Sequence, residues 1–185
     1  MPVSMLALND GTWAPWIAFG TGTALRSQGA SQCLHAVTVA IQNGFTHLDG
    51  AQGYGNEASL GAGIVASGKP RSELYITTKL GPLAPGETPK SALEKSLSRL
   101  GVDYVDLYMI HRATLHVGKL KEVWKGMEEA KAAGLTKSIG VANFTADHLN
   151  DILEVPGTTI PAVNQVETCS FIRSRGSVFH PSRIG

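Results

Sequence analysis

The sequence predicts an α/β fold in which a parallel sheet is wrapped by helices. Two observations carry this expectation. Six apolar, strand-forming runs alternate with five segments of helical periodicity, and the 21 glycines punctuate those segments without forming a low-complexity tract. Strict alternation of this kind leaves two architectures, a doubly wound open sheet or a barrel. A hairpin-like opening ahead of the first strand suits a barrel whose bottom is plugged.

The elements follow in order. Met5 to Leu8, a turn at Asn9-Asp10-Gly11 and Thr12 to Pro15 read as the hairpin, and Trp16 to Phe19 running into Gly20-Thr21-Gly22 is the first sheet strand. Between Ser31 and Asn43, Cys33, Leu34, Val37, Ala40 and Ile41 recur at helical spacing, and Gly44 stands at the C-terminal cap position. Phe45 to Leu48 is a short strand, Asn56 to Ser67 a helix, and Leu74 to Thr78 a strand rich in β-formers. Thr88 as N-cap, Pro89 at the first helical position, Leu93, Leu97 and Leu100 on one face and Gly101 as the stop define the next helix. Tyr104 to Ile110 is a strand, Lys119 to Ala133 a helix buried through Leu120, Val123, Trp124, Met127 and Ala130, and Lys137 to Ala142 a strand. Thr145 caps a helix bearing Leu149, Ile152 and Leu153, and Ile160 to Val166 is the sixth strand. Thr168 to Gly185 shows no apolar period of either kind, so residues 1–167 are expected to fold and 168–185 to form a divergent, poorly ordered tail.

Composition narrows the function. With 43% apolar and 17% charged residues, 185 residues can bury a sizeable core, and a net charge of +1 with no block of either sign gives no footprint for nucleic acid or an anionic membrane. No run approaches the roughly 18 apolar residues of a bilayer span, and Met1 to Gly11 lacks the pattern of an export signal. Cys33 and Cys169 are too few for a disulfide scaffold. A cytoplasmic protein with small-molecule partners is expected.

Polar residues stand at the C-terminal ends of successive strands: Asp49, Lys79, His111, Asn143 and Gln165, with Tyr54 in the loop after Asp49. In a parallel barrel those ends share one face, where active sites are built. Any one of them alone reads as a solvated loop residue; an acid, a phenol, an amine and an imidazole together read as a site. Competing motifs are weaker. His47 and Asp49 form half of a metal pattern that no second cluster completes. The G-x-x-x-x-G-K string from Gly63 to Lys69 is followed by Pro70 and closes a helix where a phosphate loop would open one. Trp124, on the apolar stripe, reads as core, Trp16 is undecided, and His35 and His148 read as solvated or capping residues.

Gly44-Phe45-Thr46-His47-Leu48-Asp49, with Ala51, Tyr54, Asn56, Glu57 and Gly61 following, then Thr77-Thr78-Lys79, Val105-Asp106-Leu107-Tyr108-Met109-Ile110-His111, Gly140-Val141-Ala142-Asn143-Phe144 and Asn164-Gln165-Val166-Glu167 form an ordered set. From about Leu6 to Glu167 the chain resembles the aldo-keto reductases. The resemblance implies a (β/α)8 TIM-type barrel, here with about six of its eight strands, and NADPH-dependent reduction of aldehydes, ketones or open-chain sugars, with NADH as the alternative cofactor. It implies that Asp49, Tyr54, Lys79 and His111 are catalytic, and that Asn143 and Gln165 hold the nicotinamide carboxamide with Asp49 beside the cofactor. Hydride arriving at a carbonyl carbon leaves charge on oxygen, so a proton donor must be in place. Tyr54 is the candidate acid, Lys79 eases release of its proton, Asp49 keeps the lysine charged and oriented, and His111 hydrogen-bonds the carbonyl oxygen.

The chain departs from the resemblance at three places. Ala142 stands where a serine often joins the asparagine, a loss of about 1 kcal/mol, and Arg112-Ala113 replace an aromatic residue and a proline beside the substrate. No segment after Glu167 resembles the seventh and eighth strands, whereas such barrels usually need about 250 residues. That length is expected to reflect a gene-model error or a truncated isoform. Open barrel edges would favour self-association, and a non-catalytic fragment with impaired cofactor binding is the competing expectation.

Overall fold

A computed structural model describes residues 4–167. The tail expected over 168–185, Cys169 included, lies outside the described residues. Strands β1 (Met5–Ala7) and β2 (Trp13–Pro15) pair antiparallel, Met5 opposite Pro15 and Ala7 opposite Trp13, as the turn signal requires. The remaining strands, β3 (Phe19–Gly20), β4 (His47–Asp49), β5 (Tyr75–Leu80), β6 (Val105–Ile110), β7 (Thr136–Ala142) and β8 (Asn164–Gln165), form one parallel sheet in chain order. Sequential order settles the choice the sequence left open, because a doubly wound sheet reverses its strand order at a switch point. The sheet curls: Gln165 on β8 reaches back to donate to Asp49 on β4 at 3.1 Å. Among the described residues this is a curled six-strand half-barrel of the (β/α)8 type.

Helices α1 (Ala30–Gln42), α2 (Glu57–Ser67), α3 (Pro89–Leu100), α4 (Leu120–Ala132) and α5 (Ala146–Leu153) each connect successive strands and pack against their neighbours in sequence. The core fills the space between them and the sheet, with Leu48, Ile76, Tyr108, Leu93, Trp124 and Met127 all fully buried. Trp124 satisfies its indole N–H on the Thr159 carbonyl at 3.0 Å, as a buried indole must. The α3 boundaries follow the sequence signals: Thr88 Oγ1 accepts from Ser91 N–H at 3.2 Å, Pro89 opens the helix, and Gly101 closes it with φ +68°. His148 is the capping partner of Thr145 at the start of α5, and His35 is exposed. None of these helices is long and apolar enough to cross a membrane.

The hairpin seals the end of the sheet opposite the strand C-termini. Thr12 Oγ1 meets Ser138 Oγ at 2.9 Å, Lys131 pairs with Asp10 at 3.0 Å, and His47 Nδ1 contacts the Pro15 carbonyl at 3.2 Å. Asp106, 4% exposed, accepts from Arg71 at 2.7 Å, Ile76 N–H at 2.8 Å and Lys137 at 2.8 Å, pinning the start of β6 to its neighbours.

Four strands differ from the expected spans by two residues or more at an end, and the second, His47–Asp49 in place of Phe45 to Leu48, takes in Asp49 as its last residue. The first begins at Phe19 because Trp16 spends its N–H on the Ser4 carbonyl, extending the hairpin, and the Trp16 ring is 67% exposed. The sixth pairs in register with β7 only at Asn164 and Gln165; ahead of them the Ala162 N–H and the Val163 carbonyl still bond β7, and Ile160 is 61% exposed. The third runs on through Leu80, so Lys79 lies within the strand rather than after it.

Candidate active site

Asp49 ends β4, Lys79 stands one residue from the end of β5, His111 follows β6, Asn143 follows β7, and Gln165 ends β8. With Tyr54, at the end of the 3-10 turn Gln52–Tyr54, they line one cleft of about 460 Å³ that is completed by Gly20, Gly22, Thr23 and Ala24 after β3. The structure therefore brings all six sequence-predicted side chains together.

Lys79 is 1% exposed, and an ammonium removed from water needs every N–H engaged. Its Nζ is ion-paired with Asp49, donates to the Gly50 carbonyl at 3.1 Å, and reaches the Tyr54 hydroxyl at 3.5 Å. Three donors thus meet three oxygens. Because the Tyr54 oxygen accepts from Lys79, its own proton is free to point into the cleft. The Tyr54 ring stands edge-on to His111, with centroids 5.4 Å apart and planes at 85°. Gly22 makes room for it, since a Cβ there would fall 2.9 Å from Tyr54 Cζ.

Burial, and then the positive charges of Lys79 and Arg112, lower the His111 pKa below the ordinary 6.5. The ring is therefore neutral at neutral pH and offers one N–H. His47, the other half of the metal-like pattern, is occupied on both nitrogens, by the Pro15 carbonyl and by Thr77 Oγ1 at 2.9 Å. It braces the sheet below the cleft. Among the described residues, Arg112, beside His111, pairs with exposed Glu167 at a long 3.9 Å.

His47, His111 and His116 share one consequence of burial, which is the first cause of a lowered pKa in each. Unfolded, each titrates near 6.5; folded, each takes its proton only at lower pH. The unfolded chain then binds more protons in that interval, so stability present above 6.5 is lost as pH falls through the folded values. Denaturant midpoints are expected to drop between about pH 7 and pH 5, and equal midpoints would contradict it. Asp10 does not blur this window. Burial alone would raise its carboxyl, but hydrogen bonds from Thr12, Lys131 and Ser138 hold it at about 2.

The amides suit a nicotinamide carboxamide, which needs one donor and one acceptor. Asn143, with φ +58°, a region asparagine tolerates better than most residues, turns its Oδ1 to the Glu167 N–H at 3.1 Å and keeps its Nδ2 donor. Gln165 spends Nε2 on Asp49 and keeps its Oε1 acceptor. Ala142, 1% exposed, offers no third group. Asn164 clasps Phe144 through N–H and carbonyl at 3.3 and 3.0 Å, fixing the loop that carries Asn143.

Behind the site stands a supporting layer whose role the motif containing Glu57 did not reveal. Glu57, 2% exposed at the start of α2, accepts from Thr78 Oγ1 at 2.6 Å, Arg99 Nε at 2.8 Å and Ser96 Oγ at 3.3 Å, and thereby braces the residue before Lys79. The available signal was its place three residues after Tyr54, where a glutamate at a helix N-terminus reads as an ordinary first-turn charge.

Comparison with known proteins agrees with this architecture. The aldo/keto reductase family model matches residues 16–178. An aldo-keto reductase of Mycobacterium sp. (strain MCS) is 41% identical over 89% of this chain and 57% of its own length, and one of Mycolicibacterium vanbaalenii is 44% identical over 89% and 58%. The chain thus spans less than three fifths of the length of these curated relatives. Among solved structures, an aldo/keto reductase from Brucella melitensis superposes with a TM-score of 0.77 at 33% identity, covering 90% of this chain and 64% of that one. The Bombyx mori aldo-keto reductase in complex with NADP gives 0.77 at 35% identity, covering 91% and 59%. By its family-model match and its curled strand-and-helix architecture, the chain belongs to the aldo/keto reductase family.

Proposed function

We propose that residues 1–167 form a carbonyl-reducing unit that uses NADPH, with NADH as the alternative, to convert aldehydes, ketones or open-chain sugars to alcohols. The observation that carries this reading is the Tyr54 hydroxyl held against the buried Lys79–Asp49 pair and beside His111, at the mouth of a cleft flanked by two amides. When bound, the reduced cofactor supplies hydride to the carbonyl carbon. Asn143 and Gln165 would hold its carboxamide through the donor and acceptor they keep, and Asp49 orients Gln165.

A carbonyl oxygen lodged between Tyr54 and His111 meets two hydrogen-bond donors. The neutral imidazole has one N–H to share and no extra proton to give, so the proton that completes the alcohol comes from Tyr54. Lys79 stabilises the charge left on the phenol oxygen, in a setting where burial strengthens that interaction. Asp49 holds the ammonium in place. Ala142 lines the cleft without the hydroxyl of the family pattern, and Arg112-Ala113 follow His111 in place of its aromatic residue and proline, so substrate preference within the carbonyl class is not carried over from the family.

Titration with NADPH, followed by fluorescence, tests this reading: saturable binding is expected. Asn143→Ala or Gln165→Ala should weaken it about fivefold each, the equivalent of one hydrogen bond. Absence of saturable binding would overturn the reading for this chain. A second reading then gains ground, because β3 and β8 pair on one side only among the described residues and Trp16, Ile17, Ile160 and Val166 are exposed beside them. On that reading the chain acts by self-association, without catalysis, and light scattering would show assembly in place of turnover.

A further inference from the structure

We infer that Gln52 is a positioning residue that fixes Tyr54 against Lys79 and His111, an assignment that rests on the reading of Tyr54 as proton donor. Gln52 opens the 3-10 turn that Tyr54 closes. Its side chain uses both ends: Oε1 accepts from the Gly81 N–H at 2.8 Å, and Nε2 donates to the Ala92 carbonyl and to Ser96 Oγ, both at 3.0 Å. Gly81 lies two residues beyond Lys79, so the first bond ties the turn of Tyr54 to the chain leaving β5. The other two tie it to one face of α3.

The segment carrying His111 meets the same point. His111 N–H donates to the Leu80 carbonyl at 3.2 Å, and the 3-10 turn Ala113–His116 that follows ends in the buried His116. The turn meets the imidazole through the Tyr54 ring, and a Cβ on Gly53 would itself come within 3.5 Å of the His111 ring. Ser96 extends the lattice, taking Arg99 Nη2 at 3.0 Å and contacting Glu57, which in turn holds Thr78. Three chain segments that are distant in sequence, each bearing one candidate catalytic side chain, are thus referenced to the Gln52 amide. A shift of the turn by an ångström would break its bonds to β5 and α3 together.

Gln52→Met keeps the side-chain length and removes all three bonds. The Tyr54 ring resonances, assigned by their loss in Tyr54→Phe, are expected to move, while those of Tyr104 at the opposite end of the sheet stay in place. The kcat should fall on the order of ten- to a hundredfold, the scale of an ångström misplacement, with KM for the carbonyl within about twofold. Gln52→Glu, which keeps an acceptor for the Gly81 N–H, should fall between the two. Thr88→Ala removes the α3 cap without touching the turn and should leave both Tyr54 resonances and kcat unchanged. Wild-type resonances and kcat in Gln52→Met would overturn the inference, as would Thr88→Ala reproducing both changes. If the wild-type chain shows no turnover, the reductase reading fails, and the Tyr54 resonances alone decide whether Gln52 positions the phenol.

Discussion

Replacing Tyr54 by phenylalanine is expected to lower kcat/KM for carbonyl reduction by about 10²–10⁴ while leaving NADPH affinity within about twofold. The reasoning is local. The substitution removes one oxygen, the one that lies 3.5 Å from Lys79 Nζ, and keeps the ring that packs over Gly22 and edge-on to His111. Lys79 retains Asp49 and the Gly50 carbonyl, so its charge stays compensated. Neutral His111 cannot take over as acid near pH 7, because burial, Lys79 and Arg112 all oppose its protonation. Steady-state rates and a cofactor titration check both halves, and unchanged reduction would remove Tyr54 from its role.

Asp49→Ala is the second large effect, and it falls on stability and activity together. The aspartate side chain is 13% exposed and that of Lys79 only 2%, so removing the carboxylate strands a buried ammonium on a carbonyl and a distant hydroxyl. Breaking such a pair typically costs about 3 kcal/mol or more. It also frees Gln165, whose amide donates to the second carboxylate oxygen at 3.1 Å. The double variant Asp49→Ala/Lys79→Met should regain most of the lost stability, since neither charge then remains buried alone, and should stay inactive. Denaturant melts separate the two contributions. A single variant as stable as the parent would show that Lys79 does not depend on Asp49.

How far the sequence reached is clearest at α3 and at the two outer strands. Thr88, Pro89 and Gly101 act locally, through caps and backbone angles, and their signals marked the helix ends correctly. The outer strands depend on pairing. Trp16 carries a strand-like apolar signal but spends its N–H on Ser4, and Ile160 opens an apolar run whose regular pairing with β7 starts only at Asn164. Alternation alone could not order the strands, because a barrel and a doubly wound sheet share it.

The site shows the same division. Asp49, Lys79, His111, Asn143 and Gln165 were legible because each stands where an apolar run ends, and the family resemblance attached roles to them. Their convergence is a finding of the fold. Gln52, Ser96 and Arg99 were not legible at all: the Gln52–Ser96 bond joins residues 44 apart, and each alone reads as a polar residue on a solvated surface. His47 was read as half of a pattern that its contacts to Pro15 and Thr77 explain as bracing.

On the proposed reading, this cleft directs hydride to a carbonyl under the control of Tyr54. NADPH carrying deuterium in place of both hydrogens at its transferring carbon, mixed with the intact chain and a reactive aldehyde, tests it most directly when the mass of the product is read. One deuterium in each alcohol formed, with formation largely abolished in Tyr54→Phe, is the expected result. Recovery of unreacted aldehyde with the intact chain, or formation of labelled alcohol by Tyr54→Phe at the intact chain's rate, would contradict it.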